Sequence, residues 1–369
     1  MSDILWEDET PAALVAGGVE HAGFENAPGD HLLFATSGSS GIPRWIAISK
    51  PALLASAAAV NAHLGVDAAS VWGQALPMHH VGGFGVWARA RVAGCGLEVF
   101  QGRWDPCAFA SWAGGRGLKT GGRGLTHTSL VPTQVHDLVS AGCKAPGGLR
   151  AVVVGGGRLD AEAGTAARDL GWPVLASYGM TESASQIATQ PLAALAHPYQ
   201  PAPIPVLAHW QVRADGAGCL EIAGPALYSG TMENGIYRPR RGDWYATRDR
   251  VSITPGGLVP HGRADALVKV AGELIDPLEV EKRLAAWATP HGNGIAVVAV
   301  ADARLGNRLA VVAEHGVPDS LLHKVIDDYN QAVPRSQRLG LPVRVAKLPR
   351  GDLGKILLAR LREMAGGNL

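Results

Sequence analysis

The residues best suited to chemistry stand together in one short loop. Residues 36 to 44 read Thr36, Ser37, Gly38, Ser39, Ser40, Gly41, Ile42, Pro43 and Arg44, directly after an apolar run at 32–35. The two glycines let the backbone turn tightly and aim N–H groups inward, the hydroxyls add donors, and Arg44 adds a positive charge. Such a loop is a cradle for an anion. It is not a Walker A loop, because G-x-x-x-x-G-K-[ST] occurs nowhere in the chain, including around Gly354 and Lys355. A second glycine cluster, Gly155, Gly156 and Gly157, follows an apolar run at 151–154. The dinucleotide fingerprint G-x-G-x-x-G fails there, since Asp160 takes the place of the third glycine. Taken singly, Glu182 is an ordinary solvated carboxylate and Lys355 an ordinary surface lysine; only their surroundings in the sequence set them apart.

Loops of this kind need a sheet to hold them. Short apolar runs recur at 32–35, 71–76, 97–100, 128–131, 151–154 and 174–176, with helix-length segments at 51–64, 133–141 and 160–170 between them. Strands alternating with helices predict an α/β sheet, largely parallel. From 205 to 262 the texture turns to short β-type runs, the pattern of an antiparallel appendix. Beyond it, a helix at 277–287, strands at 295–300 and 308–313, a helix at 318–332, a strand at 342–347 and a helix at 355–364 make an α+β unit. The expected architecture is α/β. A large N-terminal domain of mixed, largely parallel sheets with helices spans 1–263, including the β-rich subdomain at 205–262, and a small α+β C-terminal domain spans 264–369.

Composition narrows the class. With 369 residues, 47% hydrophobic and 18% charged, the chain has ample apolar material for a folded core. Lys plus Arg number 33 and Asp plus Glu 32, a net charge of +1 that gives no electrostatic footprint for nucleic acid or an anionic membrane. No apolar run reaches the roughly 18 residues of a membrane span. Residues 1–15, with Asp3, Glu7, Asp8 and Glu9, lack the basic start and apolar core of a secretion signal, so a cytoplasmic enzyme is expected. Cys95, Cys107, Cys143 and Cys219 stand singly and are read as reduced, mostly buried residues. The glycine-rich repeat at 114–118 and 121–125 is read as an exposed loop.

Seven segments, in order, give the chain a resemblance to the adenylate-forming acyl-CoA synthetases. The loop at 36–44 resembles the family's T-S-G-[ST]-[ST]-G-x-P-K, with Arg44 in place of Lys. Residues 77–83, including His79, His80, Gly82 and Gly83, resemble P-L-F-H-x-x-G, and Gly155 to Gly157 resemble the G-G-[GA] wall. Tyr178, Gly179, Met180, Thr181 and Glu182 reproduce Y-G-[ML]-T-E. Thr247, Arg248 and Asp249 stand for T-G-D, Gly262 to Asp265 match the hinge G-R-x-D, and Pro349, Arg350, Gly354 and Lys355 match P-R-x-x-x-G-K.

The resemblance implies an ATP-dependent acid-thiol ligase that forms an acyl adenylate and then an acyl-CoA, with ATP, Mg²⁺ and coenzyme A as the small molecules bound. It assigns Thr181, Glu182 and Lys355 to catalysis: Thr181 on the α-phosphate, Glu182 on Mg²⁺, Lys355 bridging the carboxylate and the α-phosphate. Thr36, Ser37, Gly38, Ser39, Ser40, Gly41 and Arg44 would bind phosphates, with Gly155, Gly156, Gly157 and Tyr178 around adenine and Gly179 and Met180 also at the ATP site. Asp249 and Arg263 would bind the ribose side, and Asp265 would be the hinge of a mobile C-terminal lid. His80, Gly82, Ser129, Val131, Thr133, Ser185, Lys269 and Gly272 would line the acyl and coenzyme A path, and His79 is left to packing. Arg248 crowds a position where the family has glycine.

Residues 126–134, with Ser183, Ala184 and Ser185 after Glu182, resemble the branch that serves menaquinone synthesis, which implies 2-succinylbenzoate as the acid. Its ring needs an apolar slot and its second carboxylate a polar end, for which Ser129, Thr133 or Ser185 are candidates. Another acyl-CoA ligase, a stand-alone adenylation domain, a dinucleotide-dependent oxidoreductase and a nucleotide-binding protein without catalysis are the alternatives. The phosphate loop begins only at Thr36, so the resemblance also implies that most of the family's N-terminal subdomain is missing. An apolar face near residues 1–30 or along the first sheet, covered by a second copy in a homodimer, is the expectation that follows.

Overall fold

The computed structural model describes residues 6, 9–16, 18–36, 44–115, 124–270, 273–289, 291–302, 305–334, 337–351, 354 and 356–366. The chain forms two compact units, Met1–Thr247 with Val251–Pro260, and Arg248–Arg250 with His261–Leu369. Among the described residues no helix is long and apolar enough to cross a membrane.

The sheet that matters most for the site lies in the first unit. Its strands run, side by side, Ser185–Thr189, Val174–Met180, Ala151–Val154, His127–Leu130, Val71–Gln74 and Gly96–Val99. All neighbours are parallel except the first pair. Parallel neighbours need crossovers long enough to return the chain to the same end, and the helices Val81–Ala93, Pro106–Ala113, Pro132–Ser140 and Ala161–Asp169 are placed between the strands for that purpose. Residues 77–83, 131–133, 155–157 and 180–182 therefore all follow the carboxyl ends of parallel strands, where α/β sheets place their ligands.

The first sheet has a different character. Its order is Ile236–Pro239, Gly230–Glu233, Arg44–Ser49, His31–Thr36, Ala12–Val15 and Gly18–Glu20, and only the Ala12–Val15 pairing with His31–Thr36 is parallel. The strands on either side of the phosphate loop form an antiparallel pair in the register Thr36 to Arg44, because so short a connection can only fold the chain back on itself. Alternation along these strands separates two faces. Leu32, Phe34, Ile46 and Ile48 enter the main core, whereas Ala13, Leu33 and Ala47 pack with Phe24, Ala27 and Met232. This corrects the expectation of an uncovered apolar face: Phe24 and Ala27, in the turn-rich segment before His31, already cover it.

A second correction concerns the cysteines. Cys107, in the helix Pro106–Ala113, and Cys143 are joined as a disulfide with their Cα atoms 5.8 Å apart. Their separation of 36 positions in sequence hid the pairing. Cys95 and Cys219 are free. Within the β-type stretch expected at 205–262, Tyr245–Thr254 is one long strand in the four-stranded sheet with Gln211–Ala214, Cys219–Ala223 and Gly257–Arg263. Most of the glycine-rich repeat at 114–125 lies outside the described residues.

Asp160 shows how the loops after the strands are anchored. Its carboxylate accepts from Ala163 N at 2.8 Å, capping the helix Ala161–Asp169, and lies 3.3 Å from His136 Nε2. The His136 hydrogen bond, foremost, and the Ala163 N–H hold its pKa down at about 2. A carboxyl depressed in the folded state stabilises the fold above its unfolded pKa of about 4, and that contribution is lost as pH falls toward 2. Asp160→Asn keeps the cap and loses the charge. Thermal melts should show the variant weaker at pH 7 by about 1 kcal/mol or less, since the side chain is largely exposed to solvent, and level with the parent near pH 2.

In the second unit, Ile295–Asp302, Gly306–Glu314 and Val343–Val345 form a sheet against the helices Pro277–Trp287, Asp319–Ala332 and Leu358–Gly366, beside the hairpin Val268–Val270 and Glu273–Ile275. One apolar cluster includes Leu284, Val311 and Leu322; Val312 and Leu361 belong to another.

Candidate active site

The turn after the strand Val174–Met180 is built by contacts that tolerate little change. Thr181–Ser183 is one turn of 3₁₀ helix, closed by Ser183 Oγ donating to Met180 O at 2.9 Å and accepting from Met180 N at 3.2 Å. Ala184 and Ser185 then take φ of +50° and +110°, values that side chains avoid. Ser56 Oγ, on the helix Lys50–Leu64, donates to Ala184 O at 2.9 Å and pins this strained step. Gly179 has a packing reason of its own, because a Cβ there would lie 1.7 Å from Ser185 O.

Glu182 is held at both its backbone and its side chain. Tyr228 N donates to Glu182 O at 2.9 Å, and Tyr245 Oη donates to Glu182 Oε1 at 3.3 Å. At the described ends of the flanking strands, Thr36 Oγ1 donates to Arg44 O at 3.1 Å. Arg44 Nε sits 3.4 Å from Glu233 Oε1. Ser37, Gly38, Ser39, Ser40 and Gly41 lie outside the described residues.

Glycine is required at some wall positions and not at others. At Gly83 a Cβ would meet Pro77 O at 2.1 Å, so the chain before the helix Val81–Ala93 can only pass with no side chain. Gly156 has φ +76° and lies against Val131. A Cβ at Gly155 would have Ser177 Oγ at 3.9 Å as its nearest neighbour, and at Gly82 Leu76 Cδ1 at 3.7 Å, so both stand open. His80 is the residue before the helix Val81–Ala93, with its ring 4.3 Å from that of His79. Val131 is buried, while Thr133 and Tyr178 are half-buried.

Arg89 is the residue that the sequence did not reveal. It lies on the helix Val81–Ala93, which three glycines in its first half make hard to read as a helix. Its side chain is 1% exposed. Nη1 donates to Ser129 Oγ at 3.2 Å, Nη2 to Ser185 Oγ at 3.4 Å, and the guanidinium lies over the Trp72 ring at 5.2 Å. Nε has no partner, and among the described residues no carboxylate pairs with it. Burial alone pulls its pKa down to about 9, so it remains a cation at neutral pH. Two hydroxyls expected to meet a carboxylate thus converge on a desolvated positive charge. Gly85 permits this, since a Cβ there would press on Arg89 Nη2 at 3.1 Å.

In the second unit, Asp265 is gripped by two arginines. Arg263 reaches it with Nε at 2.8 Å and Nη2 at 2.9 Å, a bidentate pair, and Arg248 Nη1 with 3.3 Å. The Arg263 hydrogen bonds lead in holding its carboxyl below the usual range. Arg263 Nη1 also lies 3.4 Å from Asp249. Arg248 has a partner of its own where the family has glycine. Lys269 is exposed on Val268–Val270, and its carbonyl accepts from Asn307 Nδ2 at 3.0 Å. Gly272 and Lys355 lie outside the described residues.

The antiparallel strands that flank the phosphate-loop sequence, a glycine wall and a strained acidic turn define a nucleotide-binding fold of one class. The chain belongs to the AMP-binding enzyme family, whose model matches residues 10–219. It is 30% identical over 321 residues to 2-succinylbenzoate–CoA ligase of Escherichia coli, covering 85% of this chain and 64% of that protein. A probable 2-succinylbenzoate–CoA ligase of Mycobacterium tuberculosis is 29% identical over 359 residues, 91% of this chain and 85% of that one. Among solved structures, an arginine-to-lysine variant of E. coli MenE with bound OSB-AMS superposes with a TM-score of 0.72 at 29% identity, covering 94% of this chain and 71% of that one. The chain thus spans less than two thirds of the E. coli relative's length.

Proposed function

We propose that the protein is an ATP-dependent acid-thiol ligase that converts 2-succinylbenzoate to its coenzyme A thioester. The observation that carries the choice of acid is Arg89. A fully buried cation with two hydroxyl partners and, among the described residues, no carboxylate is a site prepared for an anion that arrives with the substrate. An aromatic acid with a second carboxylate supplies that anion, and the relatives' names point to the same compound.

In the first half-reaction a carboxylate oxygen attacks the α-phosphorus of ATP, the bond to the bridging oxygen breaks, and pyrophosphate leaves. The residues must neutralise charge and hold the reactants in line. Thr181 offers a hydroxyl at the turn, Arg44 a cation at the loop, and Lys355 a cation for the carboxylate and α-phosphate. Glu182 fits a magnesium ion. Among the described residues no group of three His, Cys, Asp or Glu could hold a metal unaided, and magnesium at nucleotide sites is bound mainly by phosphate oxygens with one or two carboxylates. Such an ion supplies charge neutralisation on the phosphates. In the second half-reaction the thiol sulfur attacks the acyl carbon and AMP leaves. The roles expected of Asp249, Arg263, Lys269 and Gly272, with Asp265 as the hinge of a lid carrying Lys355, belong to the same proposal, as does a cytoplasmic location. A homodimer has lost the uncovered face that suggested it, and light scattering decides it.

The deciding experiment is a panel of carboxylic acids scored by pyrophosphate release. Release with 2-succinylbenzoate, and thioester formed with free coenzyme A, is the expected result; no release with any acid overturns the proposal. The adenine wall has its own check. Gly155→Ala meets nothing closer than 3.9 Å in the protein and its φ is not positive, so its stability should stay within about 0.5 kcal/mol of the parent. Its affinity for ATP, measured by calorimetry, should nonetheless fall, because the added methyl occupies space meant for the base.

A further inference from the structure

Two tyrosines far along the chain from Glu182 converge on it. Tyr228 precedes the strand Gly230–Glu233 and gives its backbone N–H to Glu182 O, while Tyr245 begins the strand Tyr245–Thr254 and gives its hydroxyl to Glu182 Oε1. Their rings meet edge to face, 5.1 Å apart at 79°. Ser229 N in turn donates to Ala47 O at 2.8 Å, tying this clamp to the strand that begins at Arg44.

We infer that Tyr245 is a positioning residue for the metal-binding carboxylate: its hydroxyl fixes one oxygen of Glu182 so that the carboxylate is presented to Mg·ATP in one orientation. This rests on the reading of Glu182 as the magnesium-side carboxylate. A glutamate has three rotatable bonds, and holding it in advance removes rotamer entropy that binding would otherwise have to overcome. The geometry is fitted to that task, with the Tyr245 hydroxyl donating to Glu182 Oε1 at 3.3 Å. Phenylalanine in its place would keep the ring packing against Tyr228 and lose only the donor.

The test compares the intact protein with Tyr245→Phe, Glu182→Gln and the double variant by calorimetric titration with ATP, once with magnesium and once with EDTA. Tyr245→Phe should weaken Mg·ATP binding about fivefold to tenfold and leave metal-free ATP binding unchanged, the size expected for a hydrogen bond to a charged group acting at one remove. The double variant should be no weaker than Glu182→Gln alone, because a residue acting through Glu182 has nothing left to act on. In turnover, KM for Mg·ATP should rise while kcat at saturating magnesium holds. Equal losses with and without magnesium, additive losses in the double variant, or no change in Mg·ATP affinity would each overturn the inference and leave the ligase proposal standing. A parent protein that binds no ATP at all would overturn both. Matching melting temperatures of parent and Tyr245→Phe show that the comparison is between folded proteins.

Discussion

Arg89→Met should lower kcat/KM for an acid carrying a second carboxylate by about 100- to 1,000-fold, while a ring acid with one carboxylate loses far less. Folding strips Arg89 of water and, among the described residues, supplies two hydroxyls and the face of Trp72 in return. An arriving carboxylate therefore meets an unscreened charge in a medium of low dielectric, where an ion pair is worth most. The same facts give the substitution a second effect of opposite sign. An uncompensated buried charge destabilises the fold, and methionine fills similar space without it. The ligand-free variant should accordingly unfold at a higher temperature than the parent, by about 1 kcal/mol or more in stability. Kinetics with both acids and a calorimetric melt of the ligand-free protein check the two halves together. A variant that lost activity equally with both acids and also melted lower would show Arg89 to be structural, and the substrate assignment would lose its basis.

What the sequence disclosed and what it concealed divide along physical lines. Positions whose backbone form or close packing is closed to most residues were legible, because only particular residue types can fill them: Gly156 with its positive φ, or Gly83 under the Pro77 carbonyl. Regular elements were legible through apolar runs: the strand at 151–154 in the parallel sheet and the helix at 277–287 in the second unit fall where they were expected. Arg89 was concealed because Arg89 and Arg91 sit two residues apart in the same apolar helix. Only the packing of that helix against the helix Lys50–Leu64 and the sheet turns the first inward and leaves the second exposed. The signal was present in a weaker form, as an arginine within Val86, Trp87, Ala88 and Ala90, all of them buried. Tyr245 was concealed for another reason. Its partner lies 63 residues earlier, and no local pattern encodes a contact across that distance. The antiparallel pairing around the phosphate loop, by contrast, could have been read from the brevity of the connection.

Gly179→Ala should unfold the acidic turn and, with it, most of the activity. Gly179 pairs with Gln186 across the antiparallel strands Val174–Met180 and Ser185–Thr189, beside the irregularity between Gln186 and Ala188. A Cβ placed there would stand 1.7 Å from Ser185 O, 2.6 Å from Ser185 C and 2.8 Å from Gln186 Cα. All three neighbours are backbone, so no side chain can rotate away and the two strands must part. The expected loss is about 3 kcal/mol or more, at the upper end of overpacking because the displaced atoms belong to a hydrogen-bonded ladder. Its consequences run through Ser185. That residue already holds φ at +110°, accepts a hydrogen bond from Arg89 and follows the Ala184 carbonyl pinned by Ser56. Shifting it loosens the partner of the buried cation and the turn bearing Thr181 and Glu182 at once. Melts should therefore fall, and adenylate formation should fall further than the unfolded fraction explains, measured well below the variant's own melting temperature. Gly155→Ala, one strand away, is the control for the opposite case, in which the fold has room for the methyl and only the nucleotide does not. Gly179→Ala at the parent's stability would mean that the strand pair can spread freely, and the strained turn would then have no claim to fix Glu182.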